Sequence, residues 1–318
     1  MLKAAGLLLF YFIGVSKVLQ QLGVIKPGET RVAGTSGGII GCAPDFGIVG
    51  HDKFLAVGKE FVTRCRAKNN CAGILDSEVS RVVEQLLPPD AANIVSRGAR
   101  GARGAAVNGT AYILFANPNE KGVPVGNWTN TYDSRDDLAQ AIRTGVYLPM
   151  WSGPAMTRPF RGVRSYDGGF RRALPCPPNV TFCVTASVLP PLNFRELLDS
   201  LNEPYTNRVL RRALSSTLGA HPMAFIQNVM LKNKVTSYKV DEVVLGTVAY
   251  LSAVNPGPDV HIYPGKYNKN PYSIWEWLLM MIIPPTPDEI DIIVKMGADD
   301  ATSWAREQGL LPPTGSRR

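Results

Sequence analysis

Apolar positions recur at helical spacing through Leu8, Tyr11, Val15, Val18 and Leu22. Lys17, Gln20 and Gln21 fall on the opposite side, and Gly23 follows. This predicts a buried helix with a glycine stop, too short for a membrane span. Residues 30–33 read as a short buried strand and residues 39–43 as the first turns of a packed helix that Pro44 ends. Helical spacing returns at 54–66 and 75–87, with Asp76 as the expected cap of the second. Residues 111–116, rich in β formers, predict a strand that 117–122 turn toward a partner at 128–131. Ser134, with Asp137 three residues on, marks the start of a helix over 136–144. Further strands are expected at 160–166 and 180–186, and helices at 193–201, 207–218, 273–283 and 287–296. Strands alternating with helices predict an α/β fold, a mostly parallel central sheet with helices on both faces. No linker divides the chain. Residues 1–205 are expected to form the core and 206–318 a helical extension packed on the same domain.

The chain has 318 residues, 45% of them apolar, and a formal net charge of +8. That charge is spread along the sequence, which favours solubility or an anionic membrane surface. The repeat Arg97-Gly-Ala-Arg100-Gly-Ala-Arg103 reads as a surface loop, and no nucleic-acid partner is expected. The five cysteines, Cys42, Cys65, Cys71, Cys176 and Cys183, form no C-x-x-C pair, so no metal site is expected. Cys65 and Cys71 are near enough to bridge in an oxidising compartment, but the odd total favours reduced thiols. Sequons at Asn108, Asn127 and Asn179 matter only in a secreted chain. The apolar start resembles a short signal sequence, but it runs on into the first helix. An intracellular location with peripheral membrane contact is therefore expected over secretion.

The chemistry centres on Gly34-Thr35-Ser36-Gly37-Gly38, between the first strand and the next helix. A serine at such a turn has its hydroxyl pushed out of the sheet edge, and small neighbours permit the strained backbone. The amide of Gly37 is the first candidate to hold an anion there. The rival reading is a plain Gly/Ser turn. A serine hydroxyl needs a base. His221 or His261 after Asp167 would give the chain order of a triad hydrolase, while His51 lies in a loop. Asp167, followed by Gly168 and Gly169, offers a carboxylate that burial can turn into a base directly. Asp-Gly-Gly is also an ordinary turn.

With Tyr166-Asp167-Gly168-Gly169 and the intervening stretch from Ser134 to Pro149, the chain resembles the patatin-like phospholipases over about residues 4–190. The resemblance implies a three-layer α/β sandwich and hydrolysis of glycerolipid or phospholipid esters. It implies Ser36 as nucleophile and Asp167 as general base, with no catalytic histidine and no cofactor. Gly34, Gly38, Gly168 and Gly169 are the supporting motif residues, and Gly6 and Gly37 the expected oxyanion donors. The chain departs from the pattern at Lys3-Ala4-Ala5-Gly6, which has one glycine and no strand visible before it. That departure motivates a rival reading, a lipid-surface binding module with weak or no catalysis. Arg158, Arg161, Arg164, Arg171 and Arg172 crowd the Asp167 segment, either to attract phosphate or to solvate its rim. Trp275, Trp277 and residues 278–283 read as a core helix rather than a lipid-dipping segment.

Overall fold

A computed structural model describes residues 1–96, 109–149, 151–170, 176–191 and 259–312. The arginine–glycine repeat, the helices expected at 193–201 and 207–218, His221, Arg171 and Arg172 lie outside the described residues. Among the described residues an open sheet is flanked by helices, as the alternating pattern predicts, and its strand pairings are mixed, parallel and antiparallel.

Strand β1 (Val32–Thr35) pairs in parallel with β2 (Ala111–Pro118). The hairpin strand β3 (Pro124–Thr129) lies antiparallel to β2, and β4 (Arg158–Phe160) forms a second hairpin with β5 (Val163–Asp167). Ile113 faces Gly34 on one edge and Thr129 on the other; Phe115 faces Asp167 on one edge and Asn127 on the other. Strands β1 and β5 therefore share one edge of β2, end to end. Thr35 is paired with Leu114 and Asp167 with Phe115, so the two strands stop at adjacent positions. That single register relation brings residue 36 to residue 167.

Beyond β1 the sheet continues as single parallel bridges, Gly34 to Leu2, Leu2 to Ala186, and Ala186 to Ile262. Leu2 thus occupies a strand position between β1 and Ala186. Leu2 N–H donates to Ala33 O (2.8 Å), and Lys3 N–H donates to Ala186 O (3.1 Å) on the other side. Residues 180–186 form no continuous strand, contrary to the apolar pattern. They leave a loop closed by a Cys176–Cys183 disulfide and reach the sheet only at Ala186.

Helix α1 (Phe10–Gln21) follows a 3-10 turn at Gly6–Leu9, and Gly23 ends it in a left-handed conformation. Its first half is buried all round, so the expected polar face begins only at Lys17. Next come α2 (Gly37–Gly41), α3 (His51–Ala67), α4 (Leu75–Leu86) and the short α5 (Ala91–Ser96). Asp76 does not cap α4, whose cap position is Ile74. Its carboxylate instead accepts from Arg143 and Arg158 (2.8 and 2.7 Å) and ties α4 to α6 (Arg135–Gly145) and β4. Ser134 does cap α6, accepting from Asp137 N–H at 3.1 Å.

The last described elements are α7 (Ile274–Leu279) and α8 (Pro287–Glu307), each opened by a capping box. Helix α8 runs well past Met296 and crosses α1 with backbones almost touching. A Cβ at Gly14 would stand 1.9 Å from Val294 O, and one at Gly297 2.0 Å from Tyr11 O. Beside the crossing, buried Asp300 accepts from Tyr11 Oη and Asn268 Nδ2, both at 2.8 Å. The chain's last described segment is thereby fastened to its first helix. Among the described residues no helix is long and apolar enough to cross a membrane.

Candidate active site

Ser36 stands between the last residue of β1 and the first of α2, with φ 52° and ψ −139°. This conformation costs a side-chain-bearing residue on the order of 1–3 kcal/mol. The glycines around it answer a second demand, close approach. A Cβ at Gly34 would lie 2.7 Å from Ile39 Cα, and one at Gly38 2.4 Å from Lys3 O. The sharp turn and the crowding behind it leave the serine hydroxyl aimed past the strand end, toward β5.

Asp167 closes β5 and is fully buried. Its Oδ1 accepts the Gly169 N–H at 2.6 Å. The Ser36 hydroxyl lies near enough to favour its charged form, while Oδ2 closes no hydrogen bond of normal geometry. Burial raises the carboxyl's pKa from the usual range to about 7, against the opposing pull of the Ser36 and Gly169 bonds. Thr35 Oγ1 is likewise buried without a partner. Gly168 is needed because a Cβ there would meet Thr35 Oγ1 at 2.6 Å and Leu114 O at 2.7 Å. Unsatisfied buried polar atoms are rare in folded proteins. Two such atoms belong to the residues that end β1 and β5, on either side of a strained serine.

The Lys3–Gly6 stretch lies over the first turn of α2. A Cβ on Gly37 would stand 2.3 Å from Gly6 O and 3.0 Å from Gly6 N. Gly6 is left-handed (φ 51°), whereas Ala5 has φ −132°. The one glycine of the stretch therefore occupies the one position that requires it. Neither the Gly6 nor the Gly37 amide finds an acceptor among the described residues. Sequence reasoning gave no hint of what braces this turn. Leu7 N–H donates to Met281 O (2.9 Å), just beyond the end of α7, and that carbonyl also fills the space a Gly6 side chain would need.

Neither described histidine joins Ser36 or Asp167. His261 Nδ1 sits 2.8 Å from Thr185 Oγ1. His51 Nε2 is 2.9 Å from Ser16 Oγ, which donates to Asp45 Oδ1 at 2.5 Å. In this second Ser/His/Asp grouping the serine bridges the other two. It is buried within α1, where it pins the loop after α2; Gln20 Nε2 adds a bond to Asp45 Oδ1 at 2.8 Å.

Two of the arginines are committed to structure. Arg158 pairs with Asp76, and Arg161 pairs with Asp137 and donates to Thr129 Oγ1. Trp277 is core as expected, with its Nε1 donating to Val188 O at 2.5 Å.

Fold and site together define an α/β protein with an open sheet in which a strained serine and a buried aspartate meet at one strand edge. Among solved structures, VipD from Legionella pneumophila is similar to it, with 14% identity and a TM-score of 0.38. The match covers 96% of this chain, which spans 66% of that chain's length. No family model and no curated protein matches the sequence.

Proposed function

We propose that this chain is a serine acyl hydrolase that cleaves glycerolipid or phospholipid esters through Ser36 and Asp167. The observation that carries the reading is the adjacent register of the two strand ends, which sets a left-handed serine against a buried carboxylate of raised pKa. A carboxyl that ionises near neutral pH is matched to taking a proton from a hydroxyl at that pH. Asp167 accepts the Ser36 proton as Oγ attacks the ester carbonyl carbon. The oxyanion that forms is held by the Gly37 and Gly6 N–H groups. Asp167 passes the proton to the departing alcohol, then takes one from the water that attacks the acyl-enzyme, and Ser36 recovers its hydrogen as the acid leaves. Ser36 is only 2% exposed, so an ester reaches it when the groups above it move aside.

The lipid class rests on the motif resemblance. It is supported by the net positive charge and by Ile282, 43% exposed beside the Met281 carbonyl that braces the Gly6 turn. The test is hydrolysis of a glycerophospholipid in mixed micelles alongside a soluble ester. Ser36→Ala and Asp167→Asn are expected to lose about a hundred- to ten-thousandfold on both substrates. His51→Ala, His221→Ala and His261→Ala are expected to keep turnover. Loss of activity in a histidine variant that still folds would replace the dyad with a triad. Cleavage of the soluble ester alone would retain the dyad and discard the lipid substrate.

A further inference from the structure

The five cysteines fall into two closed pairs and one single residue. Cys65 is bonded to Cys71, Cys176 to Cys183, and Cys42 is buried alone. This runs against the expectation of reduced thiols. Two disulfides in separate parts of a chain belong to an oxidising compartment. In such a compartment an N-x-S/T triplet is an acceptor for sugar, provided its asparagine stands at the surface.

Both described triplets expose their asparagine, and they differ in how free the acceptor amide is. Asn127 is exposed but held within the β2–β3 ladder opposite Phe115, its side-chain amide is spent on a bond to Asn117 Oδ1, and Thr129 is buried. Asn179-Val180-Thr181 lies inside the Cys176–Cys183 loop instead, with Asn179, Thr181 and Phe182 all exposed. Asn179 is left-handed (φ 57°), a turn conformation that asparagine tolerates. Among the described residues its side-chain amide has no hydrogen-bond partner, while the backbone beneath is clamped. Arg31 Nη1 donates to Pro178 O at 2.8 Å and to Asn179 O at 2.9 Å. A fixed loop thus presents a free carboxamide to solvent. Arg31 immediately precedes β1 and Ser36 immediately follows it, so the loop sits at the end of the sheet away from the serine. A bulky group there stands clear of Ser36 and Asp167.

We propose that this chain resides in a lumenal or extracellular compartment and carries an N-linked oligosaccharide on Asn179. In the transfer, Asn179 Nδ2 bonds to the anomeric carbon of an oligosaccharide carried on a lipid pyrophosphate. The sugar–phosphate C–O bond breaks, and the amide proton goes with the released lipid pyrophosphate. The inference is independent of the acyl hydrolase reading.

The experiment uses the protein isolated from its own cells. Peptide N-glycosidase digestion in heavy-oxygen water is expected to convert Asn179 to labelled aspartate and leave Asn127 unchanged. Alkylation of the denatured, unreduced chain is expected to reach Cys42 alone, and all five cysteines after reduction. Expressed through a eukaryotic secretory pathway, Asn179→Gln and Thr181→Ala are each expected to lose the glycan mass that Asn127→Gln retains. An unlabelled Asn179 in a disulfide-bonded chain overturns the site. Five free thiols in freshly isolated protein overturn the compartment as well.

Discussion

Asp167→Asn removes a charge while keeping the side chain's shape, so it isolates what burial does to that carboxylate. In the folded chain the carboxyl ionises at about 7; in the unfolded chain it returns to roughly 3.9. Between those values the native state binds more protons than the unfolded state. The Asp167 contribution to stability is therefore complete below the unfolded value and is lost as pH rises through the folded one. Over the whole window the loss is about 4 kcal/mol. Between about pH 5.5 and about pH 8 it is roughly 2 kcal/mol, once the fraction already ionised in each state is counted. Asp45, buried and raised to about 6, tilts stability the same way, but it is present in both proteins and cancels from their difference. Gly169 can still donate to an asparagine Oδ1, so the variant keeps the bond that orients residue 167. Urea unfolding of wild type and Asp167→Asn at the two pH values reads the effect directly. The variant is expected to gain about 2 kcal/mol on the wild type toward the alkaline end, whatever fixed cost the amide carries. A difference that does not change with pH refutes a buried carboxyl of raised pKa.

Three further outcomes follow from the same geometry. Ester turnover is expected to rise with pH through about 7 as Asp167 loses its proton, and to keep that limb in His51→Ala and His261→Ala, measured as kcat/KM against pH. Ser36→Gly abolishes turnover yet is expected to stabilise the fold by about 1–2 kcal/mol, because glycine accepts the left-handed backbone without strain; thermal or urea unfolding checks it. Gly37→Ala drives a Cβ to 2.3 Å from Gly6 O. It is expected to cost about 1–3 kcal/mol in unfolding experiments. It is also expected to lower kcat by a hundredfold or more as the two amides are pushed apart, on the order of the loss of one oxyanion donor.

The parts of this site that were legible in the sequence are those where the backbone itself makes the demand. Gly34, Gly37, Gly38 and Gly168 are absent side chains that the close approaches around Ser36 and Asp167 require, so the motifs stand out locally. The Ser134 cap and the β2–β3 hairpin were readable for the same reason, since short-range bonds fix them. What escaped depends on distant partners. The single-residue bridges at Leu2, Ala186 and Ile262 have no strand-length pattern to announce them. Residues 180–186 carry a strand's apolar content, but the Cys176–Cys183 closure and the Arg31 clamp hold the segment that leads into them as a loop. Helix α8 outran its expected end because Gly297, a breaker by propensity, is what lets the Tyr11 backbone approach. Asp76 carries a cap's signature, yet two arginines from later in the chain claim its carboxylate.

The most direct test of the central claim is reaction of the intact protein with a fluorophosphonate probe, followed by peptide mapping of the modified residue. The account predicts a phosphonyl group on Ser36, attached faster as pH rises through about 7 and greatly slowed in Asp167→Asn. A probe that leaves Ser36 unmodified, or that reacts with it equally well when Asp167 is replaced, would contradict it.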